Sequence, residues 1–275
     1  MRLLRFARHL ATAASLFVVA ATVAHAGDVG TLMPGKIVAG VDANNKPYSY
    51  IDNGKMTGFD VELIRAIAAK LGLSADFRAQ DFAGLLPSVA NQQIDMAAGS
   101  ISITKERLKM VDFSEGYLTG LLSVATLPGG GGDSISSSVA SVKDRRIGVV
   151  QGTIEDTYSA SYLPGAQIVR FPNLNAGYLA LRNKFIDGYF VDKTLVEGLQ
   201  SKYPDAHIAD KLDISAVNLP AGFPVHKGNA KLEAALNKTL GELVADGTWM
   251  KLYLQFHPGY PKPDALPPYA MKSGT

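Results

Sequence analysis

The sequence predicts an α/β fold with two α/β lobes joined by two hinge crossings. Short apolar runs typical of buried strands alternate with segments of helical spacing, which indicates parallel βαβ units, and this pattern starts again at Arg146. Two apolar segments, residues 118–126 and 216–225, lie where the chain would pass between the lobes. The predicted parts are a signal peptide (1–26), lobe 1 (27–122 and 218–260), lobe 2 (123–217) and a proline-rich tail (261–275).

Local patterns predict each element of the first lobe. The apolar run 36–41 predicts a first strand, and the Asp-Asn-Gly sequence at 52–54 predicts a hairpin turn. Asp60 is expected to cap a helix that has apolar positions at helical spacing and ends at Gly72. Strands are also predicted at 75–78 and 94–98, and a helix at 82–90.

The second lobe repeats this alternation before the chain returns to the first. Strands are predicted at 147–150, 167–171 and 188–191, and helices from 153, at 175–183 and at 193–201. Residues 229–245, and then Trp249, Leu252 and Phe256, have the spacing of two further helices. In open α/β sheets a ligand lies beyond the carboxyl ends of the strands. Residues at such ends are Asp42, Gly99 to Ser102, Gln151 to Glu155, and Asp192.

The first 26 residues are typical of a signal peptide that is removed after Ala26. Basic residues precede an apolar run at 10–24, and small residues stand at 24 and 26. Removing the three arginines of this segment lowers Lys+Arg from 27 to 24 while Asp+Glu stays at 25, so the formal charge changes from +2 to −1. No basic block remains to favour nucleic-acid binding.

Composition and motifs also exclude several classes of site. The chain has no cysteine, which excludes disulfides, thiolate metal sites and a lipid anchor on cysteine. The histidines beyond the signal peptide, His207, His226 and His257, are far apart in sequence, so neither a metal site nor a cofactor is predicted. The glycine run at 128–134 is not followed by Gly-Lys-Ser/Thr, which favours a surface loop over a phosphate loop.

The stretch from Gly99 to Arg107 is a candidate receptor for a carboxylate. It runs from a buried strand past Ser100 and Ser102 into a helix that Thr104 would cap. Arg107 would lie in the first turn, where its charge opposes the helix dipole and an anionic partner would remove the conflict. A guanidinium also binds a carboxylate through two parallel hydrogen bonds. An ordinary strand-to-helix turn with a solvated arginine is the alternative.

Two further candidates lie where helices begin. Gly152-Thr153-Ile154-Glu155 follows a buried strand, so its backbone N–H groups are expected to be free for a carboxylate, with plain capping by Thr153 as the alternative. Glu155 would lie in the first turn, where the helix dipole is expected to lower its pKa. Asp192 ends an apolar strand and is either an acceptor for an ammonium group or an N-cap.

Six motifs occur in the order seen in the amino-acid-binding subunits of ABC importers. They are GFDVEL (58–63), FAGLLP (82–87), ID (94–95), SITKER (102–107), VDFS (111–114) and VQGT (150–153). From about residue 36 to 259 the chain resembles this family of polar amino-acid solute-binding proteins with the type II periplasmic binding fold. The resemblance implies a periplasmic monomer with a small-molecule amino-acid ligand and ABC permease membrane subunits as partners.

The resemblance also implies roles for single residues. Arg107, Ser102 and Thr153 would bind the α-carboxylate of the ligand, and Asp192 and Ser100 its α-amino group.

The ligand side chain would meet a second set of residues. Tyr48 and Phe82 match aromatic or apolar wall positions, with plain core as the alternative. Asn45 stands where the family usually has an aromatic residue that covers the ligand. Asp42 and Glu155 favour a polar or cationic ligand side chain.

The sequence therefore predicts a periplasmic solute-binding protein, not an enzyme, that delivers a polar or cationic amino acid or a derivative to an ABC importer. The lobes would close about the crossings near 121–124 and 216–220. The alternative is a cyclohexadienyl dehydratase acting on prephenate or arogenate, because residues 45–50 and 152–155 resemble sequences of such enzymes on this fold. A third hypothesis is a detached sensory domain, although the chain carries no kinase segment to receive a signal.

Overall fold

The computed structural model describes residues 28–214, 219–260, 262–263 and 265–269. The predicted signal peptide, most of the predicted second crossing at 216–220 and part of the predicted tail lie outside these residues. Within the described ranges, no helix is both long enough and apolar enough to cross a membrane.

Strands and helices alternate along most of the described chain. The strands are β1 (Lys36–Val41), β2 (Asn44–Asn45), β3 (Ser49–Asp52), β4 (Lys55–Thr57), β5 (Ser74–Ala79), β6 (Met96–Ala98), β7 (Val111–Phe113), β8 (Leu118–Thr119), β9 (Leu122–Thr126), β10 (Arg146–Val150), β11 (Gln167–Phe171), β12 (Gly188–Asp192), β13 (Ala209–Asp213), β14 (Pro220–Ala221) and β15 (Pro224–His226). The α-helices are α1 (Phe59–Lys70), α2 (Phe82–Ala90), α3 (Ile154–Tyr162), α4 (Leu174–Arg182), α5 (Lys193–Lys202), α6 (Ala230–Ala245) and α7 (Thr248–Phe256).

The first lobe is built around a sheet of strand order β5-β1-β6-β15-β7. Strand β1 pairs in parallel with β5 and β6, whereas β15 runs antiparallel to β6 and β7. Successive side chains of a strand point to opposite faces. Ile37 and Val41 therefore enter the core formed with α1, α6 and α7, while Val38 enters the core formed with α2.

The second lobe is built around a sheet of strand order β11-β10-β12-β9-β13. Strand β10 pairs in parallel with β11 and β12, and β9 runs antiparallel to β12 and β13. Val149 and Phe190 pack in the core that includes α3, and Val150 and Val191 pack in the core that includes α4 and α5. Helices thus cover both faces of each sheet.

The two lobes are joined where β8 pairs antiparallel with β14, with Leu118 opposite Ala221. The chain leaves the first lobe after β8 and returns to it at β14. The described ends of the two crossings therefore lie side by side, and the predicted α/β fold class with two lobes and two crossings is confirmed.

Two local predictions are wrong. Gly58 is the N-cap of α1, so Asp60 lies within the first turn and its carboxylate is used elsewhere. Arg107 does not lie in the first turn of an α-helix, because β7 begins four residues after it and only a short 3-10 helix, Arg107–Lys109, fits before that strand. Thr104 still has the predicted capping role, since its hydroxyl oxygen accepts the N–H of Arg107 at 3.2 Å.

Candidate functional site

A cavity between the lobes is lined by every residue predicted for the site. The cavity has a volume of about 50 Å³. The predicted residues that line it are Asp42, Asn45, Tyr48, Phe82, Gly99, Ser100, Ser102, Arg107, Thr153, Ile154, Glu155 and Asp192. Those that the sequence did not predict are Gly120, Leu122, Val150, Leu174, Leu195 and Leu219. The cavity lies beyond the carboxyl ends of β1, β6, β10 and β12.

The residues missed from sequence are mostly apolar. The only sequence signal for them is their position at the end or start of a strand. Val150 is the last residue of β10, and Leu122 is the first residue of β9 after the crossing. The reason for a glycine at position 120 is clearer. A Cβ there would lie 2.5 Å from Oδ2 of Asp192, so glycine leaves room for that carboxylate.

The buried carboxylate of Asp60 fixes the loop that carries Gly99 and Ser100. One of its oxygens accepts the N–H groups of Gly99 and Ser100, at 2.7 and 2.9 Å, and the hydroxyl of Tyr117 at 2.7 Å. Ser100 has φ of +53°, a conformation that non-glycine residues adopt only when their surroundings impose it. Burial raises the pKa of Asp60 to about 6. Asp60 thus fixes the position of the Gly99–Ser100 wall of the cavity without lining the cavity itself.

Arg107 is the cation of the cavity and connects the two lobes. Its guanidinium donates to the carbonyl oxygen of Ser102 at 2.7 Å in the first lobe and to that of Gly152 at 3.1 Å in the second. The guanidinium carbon lies 5.9 Å from the ring centre of Phe82, a cation–π distance. Burial lowers the pKa of Arg107 to about 10, which still leaves it charged at neutral pH.

The loop before α3 differs from the prediction. The N–H of Gly152 donates to Oδ2 of Asp156 at 3.1 Å, and the N–H of Thr153 donates to the carbonyl of Val150 at 3.3 Å. These two amides are therefore not free. The side chain of Thr153 caps α3 by accepting the N–H of Asp156 at 3.3 Å, as the alternative expects.

Glu155 has the opposite pKa shift to the predicted one. Burial is the largest cause and raises the pKa of Glu155 to about 7. The backbone N–H of Glu155 and the charge of Arg107 oppose this shift, while the nearby Asp192 adds to it. Desolvation thus outweighs the helix dipole, because the carboxyl group is enclosed between the lobes instead of facing solvent.

Asp192 both caps α5 and lines the cavity. Its Oδ1 accepts the backbone N–H of Thr194 at 2.8 Å and the Thr194 hydroxyl at 2.7 Å. Since the Thr194 proton is used in that bond, the hydroxyl of Tyr48 must be the donor in its own hydrogen bond with Thr194. This chain of hydrogen bonds connects Tyr48 of the first lobe to Asp192 of the second. Burial raises the pKa of Asp192 to about 6.

The remaining wall is held by short local contacts. The carboxylate of Asp42 accepts the N–H of Asn44 at 2.8 Å, and burial raises the pKa of Asp42. Asn45 Nδ2 donates to the carbonyl of Gly99 at 3.3 Å, so this amide packs where an aromatic residue was expected.

The charged groups that line the cavity are three carboxyl groups and one guanidinium. No group of three or more histidine or acidic side chains could hold a metal ion in the described part of the chain.

These raised pKa values predict how stability depends on pH. The pKa of Glu155 is about 7 in the folded chain and 4.5 ordinarily, so the native state binds more protons than the unfolded state between these values. The free energy of unfolding of the ligand-free protein should therefore fall as pH rises from about 4.5 to 7.5, by up to about 3 kcal/mol from this residue. Urea titrations of the wild type and of Glu155→Gln at several pH values measure this dependence of the free energy of unfolding on pH.

The glutamine variant should show a flatter profile and higher stability at pH 7.5. The matched control is Glu115→Gln, which changes an exposed residue outside the cavity and should keep the wild-type slope. Equal slopes for the wild type and Glu155→Gln would show that this carboxyl group is not desolvated.

Comparisons with known proteins agree with this architecture. The family described as bacterial extracellular solute-binding proteins, family 3, matches residues 37–259. The ABC transporter arginine-binding protein 1 of Escherichia coli (strain K12) is 28% identical over 226 residues, covering 81% of this chain and 91% of that protein. The structure of an ancestral arginine-binding protein bound to arginine is 30% identical with a TM-score of 0.76, covering 82% of this chain and 99% of that one.

A second structural neighbour bears on the enzymatic alternative. It is the ancestral amino acid-binding protein AncCDT-1, a precursor of cyclohexadienyl dehydratase, which is 29% identical with a TM-score of 0.72 and covers 81% of this chain and 95% of that one. The fold and the cavity define a two-lobed binding protein. The chain belongs to the bacterial extracellular solute-binding proteins of family 3, and the resemblance seen in its sequence motifs is confirmed.

Proposed function

We propose that the protein binds an amino acid with a cationic side chain between its lobes and delivers it to the membrane subunits of an ABC importer. The observation that carries this proposal is the charge of the cavity, where Arg107 faces Asp42, Glu155 and Asp192. Buried charges are stable only when they are paired. A zwitterion with one further positive charge would bring a carboxylate to Arg107 and two cationic groups to the three carboxyl groups.

The proposed roles follow from position. The α-carboxylate of the ligand binds Arg107 and the hydroxyl of Ser102, and its α-ammonium binds Asp192 and Ser100. The cationic side chain lies toward Glu155 and Asp42, with the ring of Phe82 along its apolar part. Because the pKa values of Glu155 and Asp192 are raised to about 7 and about 6, a cationic ligand would also complete their ionisation.

Export and assembly belong to the same proposal. The chain would reach the periplasm through a signal peptide cleaved after Ala26 and act there as a monomer. Support comes from the family, which is described as extracellular, and from the basic, apolar and small-residue order of residues 1–26.

A thermal-shift panel of amino acids tests the proposal. Arginine, lysine, ornithine and histidine should raise the melting temperature of the ligand-stripped protein, because a ligand at 100 times its Kd adds about 2.7 kcal/mol of stability. Cadaverine is the matched control: it carries two ammonium groups but no carboxylate for Arg107, and should give a smaller shift than lysine. A larger shift with glutamate than with any cationic amino acid would contradict the proposed ligand class.

The dehydratase is a second candidate because of one observation. With a pKa of about 7, Glu155 is partly protonated near neutral pH and could donate a proton to a departing hydroxyl. Prephenate, however, carries two carboxylates, and the cavity offers Arg107 as the cation among three carboxyl groups. This charge balance favours binding of a cation over catalysis on a dianion.

Incubation with prephenate and arogenate distinguishes the two functions. We expect no product. Turnover in the wild type that disappears in Glu155→Gln would make the protein an enzyme and replace the binding proposal.

A further inference from the structure

The second lobe contains another cavity, formed by the loop 127–132, the end of α4 and the segment after α5. None of its lining residues lines the cavity between the lobes. Its volume is about 330 Å³, compared with about 50 Å³ for the cavity between the lobes. We call this cavity the outer pocket. It is large enough for a small organic molecule.

One face of α4 looks onto the outer pocket. Tyr178, Leu181 and Arg182 all line it, and their spacing of three and four residues places them on the same side of the helix. The ring of Tyr178 is fully buried and stacks on Tyr203, with ring centres 4.2 Å apart. Its hydroxyl has no hydrogen-bond partner among the described residues. Buried hydroxyls normally have a partner, so this hydroxyl is an unused donor among the described residues.

Arg182 lies near that hydroxyl, and two lysines line other parts of the pocket. Burial raises the pKa of Tyr178 while the nearby guanidinium of Arg182 opposes the shift. Lys184 donates to the carbonyl of Gly129 at 2.5 Å, and the Lys202 ammonium lies 5.4 Å from the ring centre of Tyr203.

The two carboxylates of the pocket do not cancel this charge. Asp187 is paired with Arg146 at 2.7 Å, which leaves Asp205 as the other carboxylate in the lining. Three cationic side chains line the pocket with these two acids, so its lining carries an excess of positive charge.

The lining of the outer pocket has an apolar part, and its glycine loop packs closely on Asp187. Leu127, Leu181 and Ile186 form this apolar part, which we call the floor. A Cβ at Gly131 would lie 2.1 Å from Oδ1 of Asp187, and one at Gly132 would lie 2.5 Å from the Asp187 carbonyl. Glycine at these positions therefore lets the loop pack closely on Asp187, the residue before β12.

We propose that the outer pocket binds a small organic anion, with a carboxylate attached to an apolar body. The carboxylate accepts the hydroxyl proton of Tyr178 in a hydrogen bond and faces Arg182, and the apolar body lies on the leucine and isoleucine floor. This site is separate from the cavity between the lobes and does not depend on the ligand proposed there.

A titration with benzoate, followed by ¹H–¹⁵N correlation spectra of the intact protein, tests this proposal. Benzoate should give saturable shifts at the amides of Gly130, Gly132 and Tyr203. Acetate, which lacks an apolar body, and benzylamine, which has the opposite charge, should bind at least about tenfold more weakly. Tyr178→Phe keeps the ring and removes only the hydroxyl, and it should weaken benzoate binding at least about fivefold.

Two further variants complete the experiment. Arg182→Gln should weaken benzoate binding at least about fivefold, whereas Lys211→Gln, an exposed lysine of the second lobe outside the pocket, should leave it unchanged. Shifts that are absent, that are equal with benzylamine, or that persist unchanged in both pocket variants would overturn the proposal. Binding that disappears in Arg107→Ala would place benzoate between the lobes and overturn it as well.

Discussion

Replacing Arg107 with alanine is expected to weaken the binding of arginine by about 150-fold to several thousandfold. Arg107 is only 9% exposed, and it is the cation that lines the cavity where we propose that the ligand carboxylate binds. Leaving the other partner of a buried ion pair uncompensated costs about 3 to 5 kcal/mol. Isothermal titration calorimetry with L-arginine at pH 7.5 measures the change in Kd.

Two control variants show whether the effect on arginine binding comes from the charge of Arg107, from the shape of its guanidinium, or from substitution of an arginine in general. Arg107→Lys keeps the charge but loses the planar guanidinium, which donates to the carbonyl oxygens of Ser102 and Gly152 and would also bind the ligand carboxylate. Its affinity for arginine should therefore lie between those of the wild type and Arg107→Ala. Arg65→Ala removes an arginine on α1 that is exposed and paired with Glu62, and Kd should stay within about twofold. A loss below about fivefold in Arg107→Ala, with folding verified by circular dichroism, would remove Arg107 from the binding site.

The elements that the sequence predicted best depend on local patterns. Strands β1 and β11 and helix α2 have the predicted bounds, because apolar spacing and flanking turn residues act within a few positions along the chain. The convergence of the predicted site residues on one cavity also has a general cause. In parallel sheets the carboxyl ends of neighbouring strands meet at one edge, so residues that follow separate strands come together.

The predictions that failed depend on contacts between distant parts of the chain. Asp60 was assigned to a helix cap, but its carboxylate binds the amides of Gly99 and Ser100 about forty residues away. The pKa of Glu155 was expected to fall, since the sequence shows the helix dipole but not the opposite lobe that buries the carboxyl group. Burial and long-range partners follow from the tertiary arrangement, which local sequence patterns do not contain.

The closed arrangement of the lobes is itself visible in hydrogen bonds between them. Asn175 donates to Asn44, Lys46 to Ser201, and Tyr158 to Glu106, at distances of 2.6, 3.0 and 3.1 Å. A ligand favours such a closed state only through contacts that are absent when the lobes are apart. A substitution that blocks closure should therefore reduce affinity even if it touches no ligand.

Gly198→Ala is expected to block closure of the lobes and so to weaken arginine binding by about 5- to 150-fold. Gly198 lies in α5 of the second lobe, and a Cβ there would lie 2.2 Å from the carbonyl oxygen of Lys46 in the first lobe. Overpacking of this kind costs about 1 to 3 kcal/mol, and here the cost falls on the closed state alone because the contact joins the two lobes. Calorimetry with L-arginine gives the affinity, and small-angle scattering gives the radius of gyration.

The wild type should become more compact on saturation with arginine, whereas Gly198→Ala should contract less at the same occupancy. Gly241→Ala is the matched control, because Gly241 lies in α6 with no atom within 4 Å of a Cβ added there. That variant should bind like the wild type and gain about 0.5 to 1 kcal/mol of stability from the better helix former. If Gly198→Ala bound arginine as tightly as Gly241→Ala and contracted equally, closure of the lobes at this contact would not be part of binding.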